Sequence, residues 1–488
     1  MKKTYSLLPR LIVFLAVALV LLMPATNLLA QNNLPLCFTA RNGSVTVNFY
    51  IKDGIHTIQY STDGTNWSTY PSSNPVTINA DQSIYFRAES NQDSAVAFAD
   101  NAVYSLFDFS STNGGTVEGS GNIMSLYGPD CPNLPLQPYA FASMFNGCAS
   151  LTTAPLLPAT TVGKRCYYEM FKGCTSLTTA PSLLATTLAE GCYDGMFYDC
   201  SSLTTAPALP ATTLAEYCYD GMFFRCSSLT EAPALPATIL AEYCYAFMFN
   251  GCTSLTTAPA LPATTLADYC YHYMFSGCTS LTVAPSLPAT TLAENCYFAM
   301  FERCNSLTSA PTLPATTLAK NCYYCMFLDC LSLTSIPSLP ATTLESGCYY
   351  EMFKGCSSLI VNETAPGKEW IIPATESADI ALTYMFFGTG GTMNRTPHVN
   401  TMYYVASDTT TAIEDVEADV MEYVVYSNNR KIVVRGAEGH AVTLYDINGR
   451  IVAQTANADD TQNITVSTAG IYLVCVDGMK GAKKVVVR

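Results

Sequence analysis

The sequence predicts a multidomain chain: an N-terminal all-β sandwich, an α/β solenoid of 26-residue repeats, and a C-terminal all-β sandwich. Three observations predict it. A Met-Phe pair recurs nine times at a constant 26-residue step, from Met144-Phe145 to Met352-Phe353, without insertion or deletion. A period of this size marks one supersecondary unit, copied and stacked. The segments flanking the array alternate apolar and polar residues, as half-buried strands do. At 488 residues the chain is also too long for one compact core.

Composition narrows the function. The net charge is −15, which argues against a nucleic-acid partner, since phosphate binding needs clustered Lys and Arg. Only 12% of residues are charged and 49% are apolar, so much of the repeat must be buried or faced with Thr, Ser and Ala. Most of the 21 cysteines fall at two fixed positions of the repeat, Cys148 to Cys356 and Cys166 to Cys348. They are positions of the repeat first and a disulfide inventory second.

Residues 1–30 read as an export signal. Lys2, Lys3 and Arg10 precede an apolar run, Leu11 to Met23, which is too short to span a bilayer. No other segment predicts a transmembrane span. Gln31, rather than Cys, follows the expected cleavage site at Ala30, which argues against a lipid anchor.

Residues 31–135 predict a small β-sandwich. Val45–Ile51, His56–Ser61 and Ser83–Glu89 alternate, and Ser61–Trp67 carries Asp-Gly turn chemistry. Trp67 with Tyr70 is either a sugar-stacking platform or a turn aromatic that closes the core. Cys37 and Cys131 bracket the module and are a candidate disulfide for an exported protein.

Residues 136–359 form the array. Thr187–Glu190 and Thr213–Glu216 have the spacing of a helical capping box. A helix is expected through Leu214–Phe223, with Leu214, Cys218 and Met222 on its inward face. Gly173, Gly251, Gly277 and Gly355 stand where a left-handed C-terminal cap would. A short extended piece around Leu203–Thr205 is ended by Pro207 and Pro210. Strands space closer than helices, so the array is expected to curve with its strand face concave.

The frame C-x-S-L-T-x-A-P-x-L-P-A-T-T-L-A-x-x-C-Y-x-x-M-F-x-x-C resembles the BspA-like leucine-rich repeats of bacterial surface proteins, with F-x-x-C-x-S-L, as in Phe197–Leu203, as the shared core. The resemblance implies a leucine-rich-repeat-like solenoid, surface display and adhesion. Residues 360–407 then predict a degenerate capping repeat, with Tyr384-Met385-Phe386 recovering the frame late. Residues 408–419 read as an acidic linker.

Residues 420–488 predict seven strands, with Asn448-Gly449 as a hairpin turn. Tyr445–Arg450, Gly470-Ile471-Tyr472 and the terminal Lys483–Arg488 resemble the C-terminal sorting domain of the type IX secretion system in Bacteroidota. That resemblance implies the secretion machinery as a partner of residues 420–488, and display on the outer-membrane surface or release. Cys475 is expected as a buried mid-strand thiol. Asp93-Ser94-Ala95 resembles an O-glycosylation motif of the same phylum.

Chemistry is sparse. Cys192 and Cys200, if joined by helix, lie too far apart to bridge, so the cysteine columns are expected as ladders of small buried side chains rather than disulfides. Metal spacing is confined to Cys322 and Cys325, and no metal or cofactor is expected. The acids Glu190, Glu216, Glu242, Asp268 and Glu294 share one frame position, either capping helices or forming a ridge for basic partners. The four histidines are scattered, and neither a nucleophile–base motif nor a phosphate loop is present, so the chain reads as non-enzymatic. Variable positions on the constant frame form the candidate binding surface: Glu231, Phe247, His272, Tyr273, Phe298 and Tyr324, with Trp67 in the first module. The expected ligand is an extracellular protein or glycan. The alternative is a stiff spacer that presents the N-terminal module.

Overall fold

A computed structural model describes residues 33–406 and 424–487, apart from 72–74, 93–96, 101–102, 112–113, 377 and 394 in the first span and several turns in the second. The export signal, the acidic linker, Asp93–Ala95 and the Asn448-Gly449 turn lie outside the described residues. The chain is nearly all-β, and no α-helix occurs among the described residues. It divides into two compact units between Ser407 and Asp408.

The first unit opens with strands β1 (Leu36–Arg41), β2 (Val45–Tyr50), β3 (Ile58–Ser61), β4 (Ser68–Thr69), β5 (Val76–Ile78), β6 (Ser83–Ala88), β7 (Leu106–Ser111) and β8 (Thr116–Ser120). They form a sheet β4-β3-β6-β1-β8 and a second sheet β5-β2-β7. Alternation places Phe38, Phe49, Phe86 and Phe107 between the sheets, where Phe49 and Phe107 stack at 4.0 Å. The first sheet does not stop there: β9 (Leu151–Thr153), from the first repeat, pairs parallel with β8. One hydrophobic core runs from this sandwich through every repeat.

The expected helix is absent from the repeat. From Tyr217 to Cys226 the backbone alternates between two kinds of bond. Tyr217, Tyr219, Gly221, Phe223 and Arg225 donate their N–H to carbonyls of the next repeat, as in Gly221 to Ala246 at 2.8 Å. Between them, Cys218, Asp220, Met222, Phe224 and Cys226 donate three residues back, as in Met222 to Tyr219 at 3.3 Å. The segment is therefore a ribbon of consecutive tight turns. Tyr217, Gly221 and Arg225 take φ of +56°, +53° and +56°, and the same three positions recur from Tyr139, Ser143 and Gly147 to Ile380, Tyr384 and Gly388. A left-handed residue every four cannot continue an α-helix. The spacing of four that suggested a helix belongs to this ribbon. Its buried pairs, Cys218-Tyr219 and Met222-Phe223, repeat every four residues without the drift a 3.6-residue period imposes.

The dependent expectations change with it. Thr187–Glu190 and Thr213–Glu216 cap no helix. Glu190 pairs with Lys164 at 2.8 Å and Glu294 with Lys320 at 3.4 Å, each across one repeat. Gly173, Gly251, Gly277 and Gly355 end ribbons, not helices. Backbone hydrogen bonds join repeats on both sides, so the spacing mismatch expected to curve the array has no basis. The extended side consists of single parallel bridges, Thr153 to Thr179 to Thr205 to Glu231 and onward, kept short by the prolines that follow.

Inside the stack each frame position forms a column. Tyr167 to Tyr349 stack at 5.7–5.9 Å, and Phe145 to Phe386 at 5.3–5.8 Å, nearly parallel throughout. The cysteines are thiols: those following Met-Phe at MF-x-x-C, from Cys174 to Cys356, each donate to the carbonyl of the Phe one repeat back, as Cys226 does to Phe197 at 3.1 Å. After Leu359 the last turn ribbon carries Phe386 onto Phe353 at 5.8 Å. Beyond it, β10 (Val361–Asn362), β11 (Lys368–Trp370) and β12 (Tyr403–Val405) close the end, and Trp370 donates to the Pro337 carbonyl at 2.9 Å.

The second unit has the seven expected strands: β13 (Val424–Asn428), β14 (Lys431–Arg435), β15 (Val442–Asp446), β16 (Ile451–Thr455), β17 (Thr461–Thr465), β18 (Gly470–Val476) and β19 (Lys483–Val487). They form sheets β13-β14-β17 and β16-β15-β18-β19. Ile432, Val434, Val442, Leu444, Ile464 and Val474 share one buried core. Cys475 is half-buried within β18.

Candidate binding surface

The turn ribbon decides which residues can form a surface. Within C-Y-x-x-M-F-x-x-C the Cys, Tyr, Met and Phe are buried in the core, and the rings among the intervening pairs, such as Phe247, Tyr273 and Phe298, are half-buried, although small members such as Ala246 and Ala299 are buried. Equivalent residues of successive repeats are joined by backbone bonds, so each outward position becomes a column with neighbours about 5 Å apart.

Five of the sequence-predicted residues meet there. Phe247 stacks on Tyr273 at 5.2 Å. His272 lies edge-on to Phe247 and Tyr273, at 5.2 and 4.7 Å, and tilted against Phe298 at 4.8 Å. Phe298 stacks on Tyr324 at 4.6 Å. The strip continues through further rings: Tyr324 onto Tyr350 at 4.4 Å, then Tyr384 edge-on at 6.3 Å and Phe387 at 5.9 Å. A neighbouring column stacks Tyr217, Tyr243 and Tyr269 at 4.8 and 4.4 Å. Tyr198 on Phe224 at 4.4 Å extends the strip toward the N-terminus. Tyr350 and Tyr384 stand at the frame positions of Tyr324 and Tyr273, so a column-wise reading of the repeat finds them, whereas Tyr217, Tyr243 and Tyr269 precede the Cys and Tyr198, Phe224 and Phe387 follow the Met-Phe pair. In the cap the strip is open: Ile380, Tyr384 and Phe387 are 46%, 49% and 51% exposed.

The other candidates lie elsewhere. Glu231 sits on the extended side, bridged between Thr205 and Thr257, and is no part of the strip. Trp67 is separate, in the sandwich, with the Arg87 guanidinium 3.9 Å over its ring. Tyr70 is buried, and its hydroxyl accepts the Phe49 N–H at 2.9 Å. The two do not form a sugar-stacking platform, because one ring face is covered and the other ring is inside. Cys37 and Cys131 are not bridged: the Cys37 thiol lies 4.0 Å from Thr39 Oγ1, and Cys131 Sγ donates to the Leu34 carbonyl at 3.6 Å. Burial pushes the Cys131 thiol up to about 11.

Charge along the strip is uneven. Burial among the rings pulls His272 down to about 4, and its Nδ1 is enclosed without a hydrogen-bond partner. Where aromatic residues give way, Asp194 and Asp220 occupy the His272 position beside Gly195 and Gly221. Burial raises Asp194 to about 7 and Asp220 to about 8, and Asp194 adds to the rise at Asp220. Glu302 is raised by burial and accepts from the Ser276 hydroxyl at 3.4 Å. The acid row runs beside the Tyr217–Tyr269 column. Its end members are paired with Lys164 and Lys320, whereas Glu216, Glu242 and Asp268 are exposed and have no ion-pair partner among the described residues.

Residues 410–487 match the profile of a family described as Domain of unknown function (DUF6383). No curated protein matches the chain.

Proposed function

We propose that this is a secreted, cell-surface-displayed binding protein without catalytic activity, whose repeat solenoid presents the aromatic strip to a host protein, another bacterium or matrix. The observation that carries the reading is the continuity of that strip. Phe247, His272, Tyr273, Phe298 and Tyr324 stand in ring-to-ring contact on one face, at positions the core does not require. Aromatic rings held rigidly at a surface contribute binding area at low entropic cost. The BspA-like frame supports adhesion. The sorting-domain resemblance of residues 420–488 supports a multidomain chain exported to the outer-membrane surface or beyond.

The spacer alternative is less favoured, because Trp67 already holds Arg87 against its ring. The test uses cells of the native host. Protease shaving of wild type and of a deletion of residues 420–488 should release repeat peptides only from the former. Purified full-length protein should bind target cells, and Phe298→Ser with Tyr324→Ser should bind at least tenfold less. Repeat peptides that stay protected, or undiminished binding by the variant, would overturn the reading.

A further inference from the structure

We propose that the strip and the carboxylates of Glu216, Glu242 and Asp268 beside it take a basic amphipathic α-helix of a partner protein, laid along the direction of stacking. The inference rests on the binding reading above and names the class of partner.

Tyr217–Tyr243–Tyr269, Phe247–Tyr273 and Phe298–Tyr324–Tyr350 stack face to face, at 4.4–5.2 Å and interplanar angles of 5–14°, with His272 edge-on or tilted among them. They therefore offer the partner edges and hydroxyls, not the open faces on which a sugar stacks. The spacing selects the backbone of the partner. One α-helical turn advances about 5.4 Å, close to one repeat, so residues three and four apart would meet equivalent positions of successive repeats. In an extended strand, side chains on one face recur at about 6.7 Å and fall out of step within a few repeats.

Charge selects its composition. The protein carries a net −15. Lys164 and Lys320 neutralise the two ends of the acid row, and Lys172 and Lys354 are held by Glu169 and Glu351 at 2.7 and 2.9 Å. The three central carboxylates carry no ion pair among the described residues, although Asp268 Oδ1 accepts the Glu294 N–H at 2.9 Å, and each immediately precedes a ring of the Tyr217–Tyr243–Tyr269 column. A helix with Lys or Arg along one edge and apolar residues along the next would pair with the acids and cover the rings together.

The test is fluorescence anisotropy on the full chain with labelled synthetic peptides, at low and high salt. The first peptide places Lys and Leu on adjacent helical faces. The second scrambles the same composition, and the third replaces Lys by Glu. The patterned peptide should bind about tenfold more tightly than the scrambled one, and the Glu peptide should not bind. Neutralising Glu216, Glu242 and Asp268 together, as Gln, Gln and Asn, should weaken binding about tenfold and flatten its salt dependence. If that variant misfolds by circular dichroism, Glu242→Gln alone should show a smaller loss in the same direction. Equal binding of patterned and scrambled peptides, or an unaltered variant, overturns the helix proposal. Cell binding that persists in wild type and is lost with Phe298→Ser and Tyr324→Ser would leave the broader reading standing.

Discussion

The thiol of Cys226 donates to the carbonyl oxygen of Phe197, 3.1 Å away in the preceding repeat. The same bond recurs from Cys174 to Cys356, so each repeat is tied to its neighbour inside the core as well as through the ribbon. Burial holds these thiols far above their usual range. Cys226→Ala should therefore cost roughly 1–2 kcal/mol, from a lost bond and a small cavity, read as a lower urea midpoint. An unchanged midpoint would mean that the thiol only fills space.

Ribbon and helix respond oppositely to glycine. Ala299 has a φ of +49°, a conformation disfavoured for any residue with a Cβ. Ala299→Gly should leave stability unchanged or raise it by up to about 1 kcal/mol, whereas the same change inside a helix loses about that much. Gly221 offers the converse, with φ of +53° and its nearest neighbours 3.9 and 4.0 Å from an added Cβ. Gly221→Ala should cost about 1 kcal/mol through backbone strain alone. Thermal melts of both variants check the pair.

Asp194 and Asp220 set a pH dependence. Burial raises both, to about 7 and about 8 from an ordinary 3.8, and Arg165 and Lys172 only partly offset the rise at Asp194. Across that window the folded chain keeps protons the unfolded chain has released, so stability falls as pH rises and the loss is complete above about 8. Asp220→Asn should raise the melting temperature at alkaline pH and leave it nearly unchanged in acid below the ordinary carboxylate range. A gain that is equal at both ends would remove the titration account.

The repeats should be removable only as whole units. Deleting residues 243–268 takes out one 26-residue step and joins equivalent bond partners. That variant should melt cooperatively, with the far-ultraviolet spectrum of the parent. A deletion two residues shorter breaks the register of every column it borders, and should lose the cooperative transition. Phe249→Ala, which opens the Phe column between Phe223 and Phe275, should cost about 3–5 kcal/mol in a chemical denaturation series.

The strands of both sandwiches are legible because alternation is a local signal: Val45, Val47 and Phe49 are buried in β2, and Val442 and Leu444 in β15. The repeat boundaries were legible from the Met-Phe step. Its conformation is not legible in the same way, because Leu214, Cys218 and Met222 fit a helix over two turns and only the lack of drift across Cys226 distinguishes a four-residue ribbon. Phe247, His272, Tyr273, Phe298 and Tyr324 could be chosen as variable positions on a constant frame. Their contact with one another depends on repeat-to-repeat bonding, which no single repeat encodes. Trp67 is covered for a related reason: Arg87 lies on β6, two strands across the sheet from β4, which Trp67 precedes.

The inter-repeat bonds of the ribbon all run one way, from the N–H of an earlier repeat to the carbonyl of the next. At the amino end the outermost carbonyls are met by the sandwich, where Phe98 and Phe107 donate to Ala140 and Met144 at 2.9 and 2.8 Å. Such a stack is a zip with a starting stop. A chain emerging amino end first finds its foundation already built, and each finished course waits, donors outward, for the carbonyls of the one still to arrive.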